Sequence, residues 1–302
     1  MAMTRTAHLT LGPVLLNWPT ERWRDFYFEV ADEMPVETVF LGEVVCSKRA
    51  PLFDPHLEAV VTRLEGADKK LVFSTLAEVT GRIDRKLVER VSAWPAIEVN
   101  DVSALSHLDG RDHAIGPYMN VYNEESLAFF AENGARSVCL PPEIPAAGVA
   151  ALGQQAEALG VELEVQVYGR IPLALSARCY HARAHGRTKD SCQFICDRDP
   201  DGMVLNTLDD APFLTINGIQ TQSYACLNLT GELEELREFG VNRFRISPQS
   251  TGTREAVDSF RAVLDGRITS QEANDRLGDS GFDATFAKGF FHGEPGYQWR
   301  AQ

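Results

Sequence analysis

The chain has 302 residues, 44% hydrophobic and 24% charged, with 29 Lys plus Arg against 43 Asp plus Glu and a formal net charge of −14. The apolar share is that of a globular protein, which excludes a disordered chain. The acidic balance argues against capture of nucleic acid or of an anionic membrane.

From the N-terminus, Met1–Asn17 is broken by His8, Gly12 and Pro13 and lacks the charged-then-apolar order of a signal peptide. No apolar run approaches the roughly 18 residues of a spanning helix. A cytoplasmic protein with no membrane insertion is therefore expected. Its six cysteines then read as metal ligands, catalytic groups or inert core thiols rather than a disulfide framework.

Short β-rich runs alternate with helical periods along the chain. Strands are expected at Leu9–Leu15, Thr38–Val44, Leu71–Thr75, Ala96–Asn100, Ala114–Met119, Ser137–Leu140, Glu162–Tyr168 and Arg243–Ile246. Between the first two, Trp23, Phe26, Tyr27, Val30 and Met34 repeat as the apolar stripe of a helix. Asp54 is the expected cap of the next helix, with Pro55 in its first turn and Gly66 at its end. Asn123 and Gly134 bracket another around Leu127, Phe130 and Ala131. Eight strands separated by helices predict an α/β fold, a TIM-like (β/α)8 barrel, as a single domain over residues 1–302.

The connection between strands seven and eight is far longer than a crossover helix requires. It predicts an insertion at about residues 177–228. Within it Met203–Leu208, a turn at Asp209–Asp210, and Phe213–Ile216 read as a hairpin, and a helix follows over roughly Thr230–Phe239. Loops after barrel strands line the face where active sites sit, so a long one there points to function.

Cys179, Cys192 and Cys196 fall in that insertion as C-x12-C-x3-C, and Cys46 lies just beyond strand two. In a barrel the ends of strands two and seven open on one face, where four thiolates could converge. Four cysteines suit an iron–sulfur cluster or a structural zinc. Wide spacing suits a cluster, whose ligands sit on separate irons; zinc more often uses a tight C-x2–4-C knuckle, and unliganded core thiols are the third reading. Cys139, within strand six, and Cys226, ahead of a helix, read as buried apolar residues. His181 and His185 flank Cys179 and could replace one thiolate. The surrounding stretch is locally basic, and Lys48, Arg49 and Arg178 form a possible anion site, since guanidinium forks bind carboxylates.

Three other words carry no site. Asp197 to Gly202 resembles half of a calcium loop, but the twelfth position is Leu208 rather than Glu. Gly278-Asp279-Ser280-Gly281 resembles a serine-protease nucleophile in a chain without that all-β pattern. Asn228-Leu229-Thr230 is a glycosylation sequon without a secretory route.

A set of words in order along the chain resembles the peptidase U32 family, in particular its shorter ubiquinone-biosynthesis branch. They include Leu11-Gly12-Pro13-Val14-Leu15, Leu41-Gly42-Glu43 running into Cys46-Ser47-Lys48-Arg49, and Asn120-Val121-Tyr122-Asn123. Tyr168-Gly169-Arg170-Ile171-Pro172, Ser176-Ala177-Arg178-Cys179, Asn217-Gly218-Ile219-Gln220-Thr221 and Arg245-Ile246-Ser247-Pro248-Gln249 complete it.

The resemblance implies a TIM-barrel-like fold with one [4Fe–4S] cluster on Cys46, Cys179, Cys192 and Cys196. It implies a heterodimer with a UbiU-like U32 protein, serving O2-independent (anaerobic) hydroxylation steps of ubiquinone biosynthesis. Prephenate and a ubiquinone precursor are the small molecules the resemblance implies. Members credited with peptidase activity carry His-Gly after strand seven, where this chain has Tyr168-Gly169. The alternatives are a zinc-stapled interaction protein or a U32-type peptidase, and no catalytic residue is assigned.

Overall fold

The computed structural model describes residues 6–279, 281 and 285–298. Ser280 of the protease-like word lies outside them. Seven strands come first: β1 (His8–Leu11), β2 (Thr38–Leu41), β3 (Lys70–Ser74), β4 (Ile97–Val99), β5 (His113–Ile115), β6 (Ala135–Cys139) and β7 (Glu162–Leu175). Each pairs in parallel with the next. After β8 (Met203–Asn206), β9 (Pro212–Asn217) and β10 (Gln220–Asn228), strand β11 (Val241–Ile246) pairs in parallel with both β7 and β1. The ring closes: the fold is the predicted eight-stranded parallel barrel.

Several boundaries differ from the sequence reading for local reasons. Gly12 still donates to the Ile246 carbonyl at 2.8 Å, but Pro13 has no N–H to continue β1. Likewise β5 stops at Ile115 and Pro117 opens a 3-10 turn over Pro117–Met119. Strand β7 does not stop at Tyr168. It runs on past the barrel rim to Leu175, and its outer half pairs antiparallel with β10, from Asn228↔Tyr168 to Gln220↔Leu175. Strand β10 is absent from the sequence reading, and Cys226 lies in it. The predicted hairpin forms as β8 and β9, with Met203 opposite Ile216, and β9 pairs with β10. The long connection is thus a folded sheet anchored on β7.

Helices cover the outside. Helix α1 (Thr20–Glu33) buries Trp23, Tyr27, Val30 and Ala31. Helix α2 (Ala50–Gly66) begins ahead of the predicted cap: Pro51 occupies the first turn and Pro55 lies inside. Asp54 instead pairs at 2.8 Å with Arg90 of α3 (Arg82–Ser92). Helix α4 (Glu124–Glu132) has the predicted cap, the Asn123 side chain accepting from the Ser126 amide. Helix α5 (Ala146–Leu159) follows β6, while β4 and β5 are joined through a 3-10 helix, Val102–His107. Helices α6 (Tyr180–Ala184), α7 (Leu233–Glu238), α8 (Thr253–Leu264) and α9 (Ser270–Gly278) complete the set. Among the described residues no helix is long and apolar enough to cross a membrane.

The barrel interior holds charge as well as apolar side chains. Arg245 of β11 reaches Glu98 of β4 and Glu164 of β7, both at 2.6 Å. Ser74 donates to Glu98 at 2.7 Å and Thr10 donates to Glu164, and the guanidinium lies 4.1 Å from the Phe40 ring centroid. Burial works against a charged Glu164, but Arg245 and Arg243 beside it hold the carboxyl below its usual range.

Candidate metal centre

Cys46, from the loop after β2, and Cys179, Cys192 and Cys196, from the connection after β7, line one small cavity with Lys48, Arg49, Lys189, Phe194 and Ile219. The predicted convergence of two loops on one face is how the barrel arranges them. All four are free thiols. They do not form a compact single-ion set: among the described residues the one trio of ligand atoms within 4.8 Å of each other is drawn from His181, His185 and Asp199.

Each cysteine is set by its own local device. Gly42 has φ +123, and a Cβ there would come 2.6 Å from the Ser74 carbonyl, so only glycine allows β2 to turn off so sharply. Glu43 then folds its carboxylate back onto the Val45 and Cys46 amides, 2.8 Å each, and fixes the turn that presents Cys46. The Cys46 carbonyl accepts from the Arg49 amide at 2.8 Å, and α2 begins at once. Cys179 caps α6, its sulfur accepting from the Ala182 amide at 3.4 Å. Between Cys192 and Cys196, Gln193 and Phe194 take left-handed backbone, φ 49 and 54. Strained residues of this kind persist where surrounding structure enforces them. Arg187 contributes by donating to the Cys192 carbonyl at 3.0 Å.

Asn217 holds these pieces together. Its amide nitrogen donates to the carbonyls of Cys196 and Asp199, both at 2.9 Å. Its oxygen accepts from the Asn17 amide at 3.1 Å and from Arg49 Nη2 at 2.7 Å. Asn17 Nδ2 and Arg49 Nη2 also approach the Cys196 sulfur, at 3.3 and 3.5 Å. Gly218 (φ +70) is obligatory beside them, since a Cβ would collide with the Arg49 guanidinium.

The charged side chains that line the cavity are all basic: Lys48, Arg49 and Lys189. Arg49 is 1% exposed; burial opposes its charge, yet Glu43, Cys196 and Cys46 together raise its pKa. Burial pushes the Cys46 thiol up, against the pull of Arg49, and burial likewise raises Cys179. Burial also raises the Glu43 carboxyl, despite Arg49 and its two amide donors. Lys48 donates to the Lys189 carbonyl at 2.7 Å. Of the possible anion site, Lys48 and Arg49 reach the cavity; Arg178 is exposed and does not line it. Arg49 is moreover committed to Leu15, Asn217 and Cys196.

Cys139 and Cys226 are buried away from the cavity, as expected. Burial drives the Cys139 thiol far up and Cys226 to about 12, so both stay protonated and inert. A second, enclosed pocket opens at the C-terminal ends of the barrel strands, lined by Gly12, Glu98, Asn100, Tyr118, Gln166 and Arg245 among others. Asn100 Oδ1 and Tyr118 Oη are buried there without hydrogen-bond partners. Leu15 and Val44 line this pocket and also belong to the apolar cluster that contains Cys179 and Ile219. The two sites share a wall.

The Peptidase family U32 model matches residues 20–301. The chain belongs to peptidase family U32. Among solved structures this U32 chain is similar to N-acetylneuraminate lyase from Fusobacterium nucleatum complexed with pyruvate, at 8% identity, covering 92% of this chain and 80% of that one with a TM-score of 0.46. Dihydropteroate synthase from Thermus thermophilus is similar at 12% identity, 86% and 95% coverage and a TM-score of 0.42. A mandelate racemase/muconate lactonizing protein from Paracoccus denitrificans is similar at 14% identity and a TM-score of 0.39, with 56% of this chain matched; the U32 chain spans only 50% of that protein. These likenesses concern the barrel and carry nothing about chemistry.

The sequence reading missed Glu43, Asn17 and Asn217 as supports of the site. Two of the three have a signal only as words of the U32 resemblance, Leu41-Gly42-Glu43 and Asn217-Gly218; Asn17 has none.

Proposed function

We propose that this U32 protein is a UbiV-like [4Fe–4S] protein that acts in the cytoplasm with a UbiU-like partner, as a heterodimer, in O2-independent hydroxylation steps of ubiquinone biosynthesis. The observation that carries this reading is the lining of one cavity by Cys46, Cys179, Cys192 and Cys196 with a buried Arg49 against the Cys196 sulfur. Glu43 is the first charge that answers this guanidinium, and thiolates at Cys196 and Cys46 would add to it. A lone zinc, with Zn–S of about 2.3 Å, would hold its sulfurs roughly 3.8 Å apart. No three of these sulfurs lie within 4.8 Å of one another, a spread that suits ligands on separate irons better.

When bound, the cluster supplies one-electron redox chemistry. Around it, Arg49, Lys48 and Lys189 offset thiolate charge, Glu43 and Asn217 hold the ligand loops, and Leu15 and Val44 exclude water between cavity and barrel mouth. The mouth pocket, about 20 Å³, has room for little more than a water. This reading therefore assigns a small organic substrate, a ubiquinone precursor or prephenate, to the adjoining cavity of about 240 Å³, which shares Tyr118 with it and is also lined by Asn120, Glu143 and Leu173. Val204, Leu205, Leu208 and Phe213 stand exposed on and around the β8–β9 hairpin, a surface suited to a protein partner.

The test is anaerobic iron and acid-labile sulfide analysis of wild type and Cys46→Ala. About four of each per chain are expected in the wild type, with loss in the variant. A colourless protein that carries zinc and no sulfide sinks the proposal in favour of the zinc-stapled alternative.

A further inference from the structure

The geometry points to a second metal site, separate from the cysteine cavity, in which His181, His185 and Asp199 bind one divalent transition-metal ion of the zinc or ferrous class. One ring nitrogen of each histidine and a carboxylate oxygen of Asp199 lie within 4.8 Å of one another. Neither histidine lines the cysteine cavity.

The ring environments carry the argument. His181 is 0% exposed, and its Nδ1 is 3.1 Å from the Ile216 carbonyl. His185 Nδ1 is likewise 3.1 Å from a carbonyl, that of His181. A carbonyl can only accept, so each Nδ1 carries a proton, and in the neutral ring each Nε2 then presents a lone pair. This is the arrangement by which a second ring N–H fixes the tautomer of a metal-ligating histidine. The buried His181 Nε2 has no hydrogen-bond donor, and it faces Asp199 Oδ2 at 2.9 Å. With the His181 ring neutral these are two acceptors 2.9 Å apart, one of them buried and the other half-buried, and a cation shared between them resolves the contact. The rings stack in parallel at 5.3 Å and 7°, a placement that two neutral imidazoles tolerate and two imidazolium ions do not.

Two imidazoles and one carboxylate suit borderline divalent ions, and three protein ligands leave a coordination position open. The ligands belong to the same two segments that carry the cysteines: His181 follows Cys179 on α6, and Asp199 closes the 3-10 turn Ile195–Arg198 that holds Cys196. An ion there would clamp those segments together from behind. Asp199 is already fixed by the Asn217 amide on its carbonyl.

The inference does not depend on the cluster proposal, and its test separates the two. Anaerobically purified protein takes one equivalent of zinc at this site, and zinc K-edge X-ray absorption reads the ligands. Once the cysteine cavity is filled, by iron or by a first equivalent of zinc, the zinc taken up next is expected to have nitrogen and oxygen neighbours without sulfur. His185 is not buried, so His185→Ala should retain its fold by circular dichroism. It should weaken zinc at least about tenfold in chelator competition, and Asp199→Asn should do the same. A sulfur-dominated spectrum for that zinc, no such uptake by folded wild type, or unchanged affinity in His185→Ala each overturns the site. In the last two outcomes the His181–Asp199 contact is a protonated ion pair.

Discussion

Two buried arginines sit among opposite kinds of neighbour. Arg245, inside the barrel, meets two carboxylates at 2.6 Å that are themselves bonded by Ser74 and Thr10. Its charge is fully answered from within the chain. Arg49, under the cysteine cavity, meets amide and carbonyl oxygens and one sulfur, with the Glu43 carboxylate as its charged neighbour. The first arrangement sets one guanidinium between two carboxylates; the second has one carboxylate near it and leaves room for ionised sulfurs to add to the balance. Polar burial of similar depth therefore joins acid to base in one region and places a guanidinium against sulfur in the other.

The largest effect that should separate them is on folding. Arg245→Met leaves Glu98 buried without its guanidinium partner and Glu164 with Arg243 alone, and a loss of about 3–5 kcal/mol is expected in urea unfolding. Iron content per folded chain should hold. Arg49→Met should show the reverse emphasis: about 1–3 kcal/mol of stability, with iron retention falling by most of its value. Equal effects of both variants on iron would erase the distinction.

The two regions also part in their response to pH. Glu164 titrates below the ordinary carboxylate range when folded. Its contribution is therefore complete above the unfolded value of about 4.3 and is lost as pH falls through the lower folded value. Glu43 titrates above that range, so the folded state holds its proton more tightly, and stability declines as pH rises from about 4.3 through the raised value. Urea midpoints across the acid range should show Glu164→Gln flattening the acid loss and Glu43→Gln flattening the opposing slope. The smallest stability effect belongs to the hairpin. Leu208→Asp, at a fully exposed side chain, should change unfolding by less than about 0.5 kcal/mol. It should nonetheless weaken co-purification of a UbiU-like partner; undiminished co-purification would remove the hairpin from the interface.

What can be read from the sequence follows from which signals are local. The barrel strands are legible because their apolar runs and flanking turns lie within a few residues of each other. Strand β10 is not, because Gln220, Thr221, Gln222 and Ser223 read as polar loop although Gln220 and Gln222 are buried. Gln220 spends its amide on the Leu15 carbonyl at 2.6 Å. The start of α2 is misplaced because two prolines compete for the first turn and the sequence does not show which one the Cys46 turn selects. Cysteine announces its chemistry by residue type, so spacing singles out the four cavity thiols. Lys48 and Arg49 stand out only as charges beside Cys46; that Arg49 is buried against Asn217 and the Cys196 sulfur depends on partners remote in the chain. The same remoteness hides Asn17 and Asn217.

That remoteness bears on how the protein is made. Asn217 joins Asn17 and Arg49 to the cysteine segments, so these tethers form only after residue 217 leaves the ribosome. The barrel itself closes only when β11 reaches β1. During synthesis, at about 5–20 residues per second, Cys46 waits for its three companions as a solitary thiol on an incomplete sheet. A ligand shared by all four cysteines could be completed only after Cys196 has emerged, late in the synthesis of the chain.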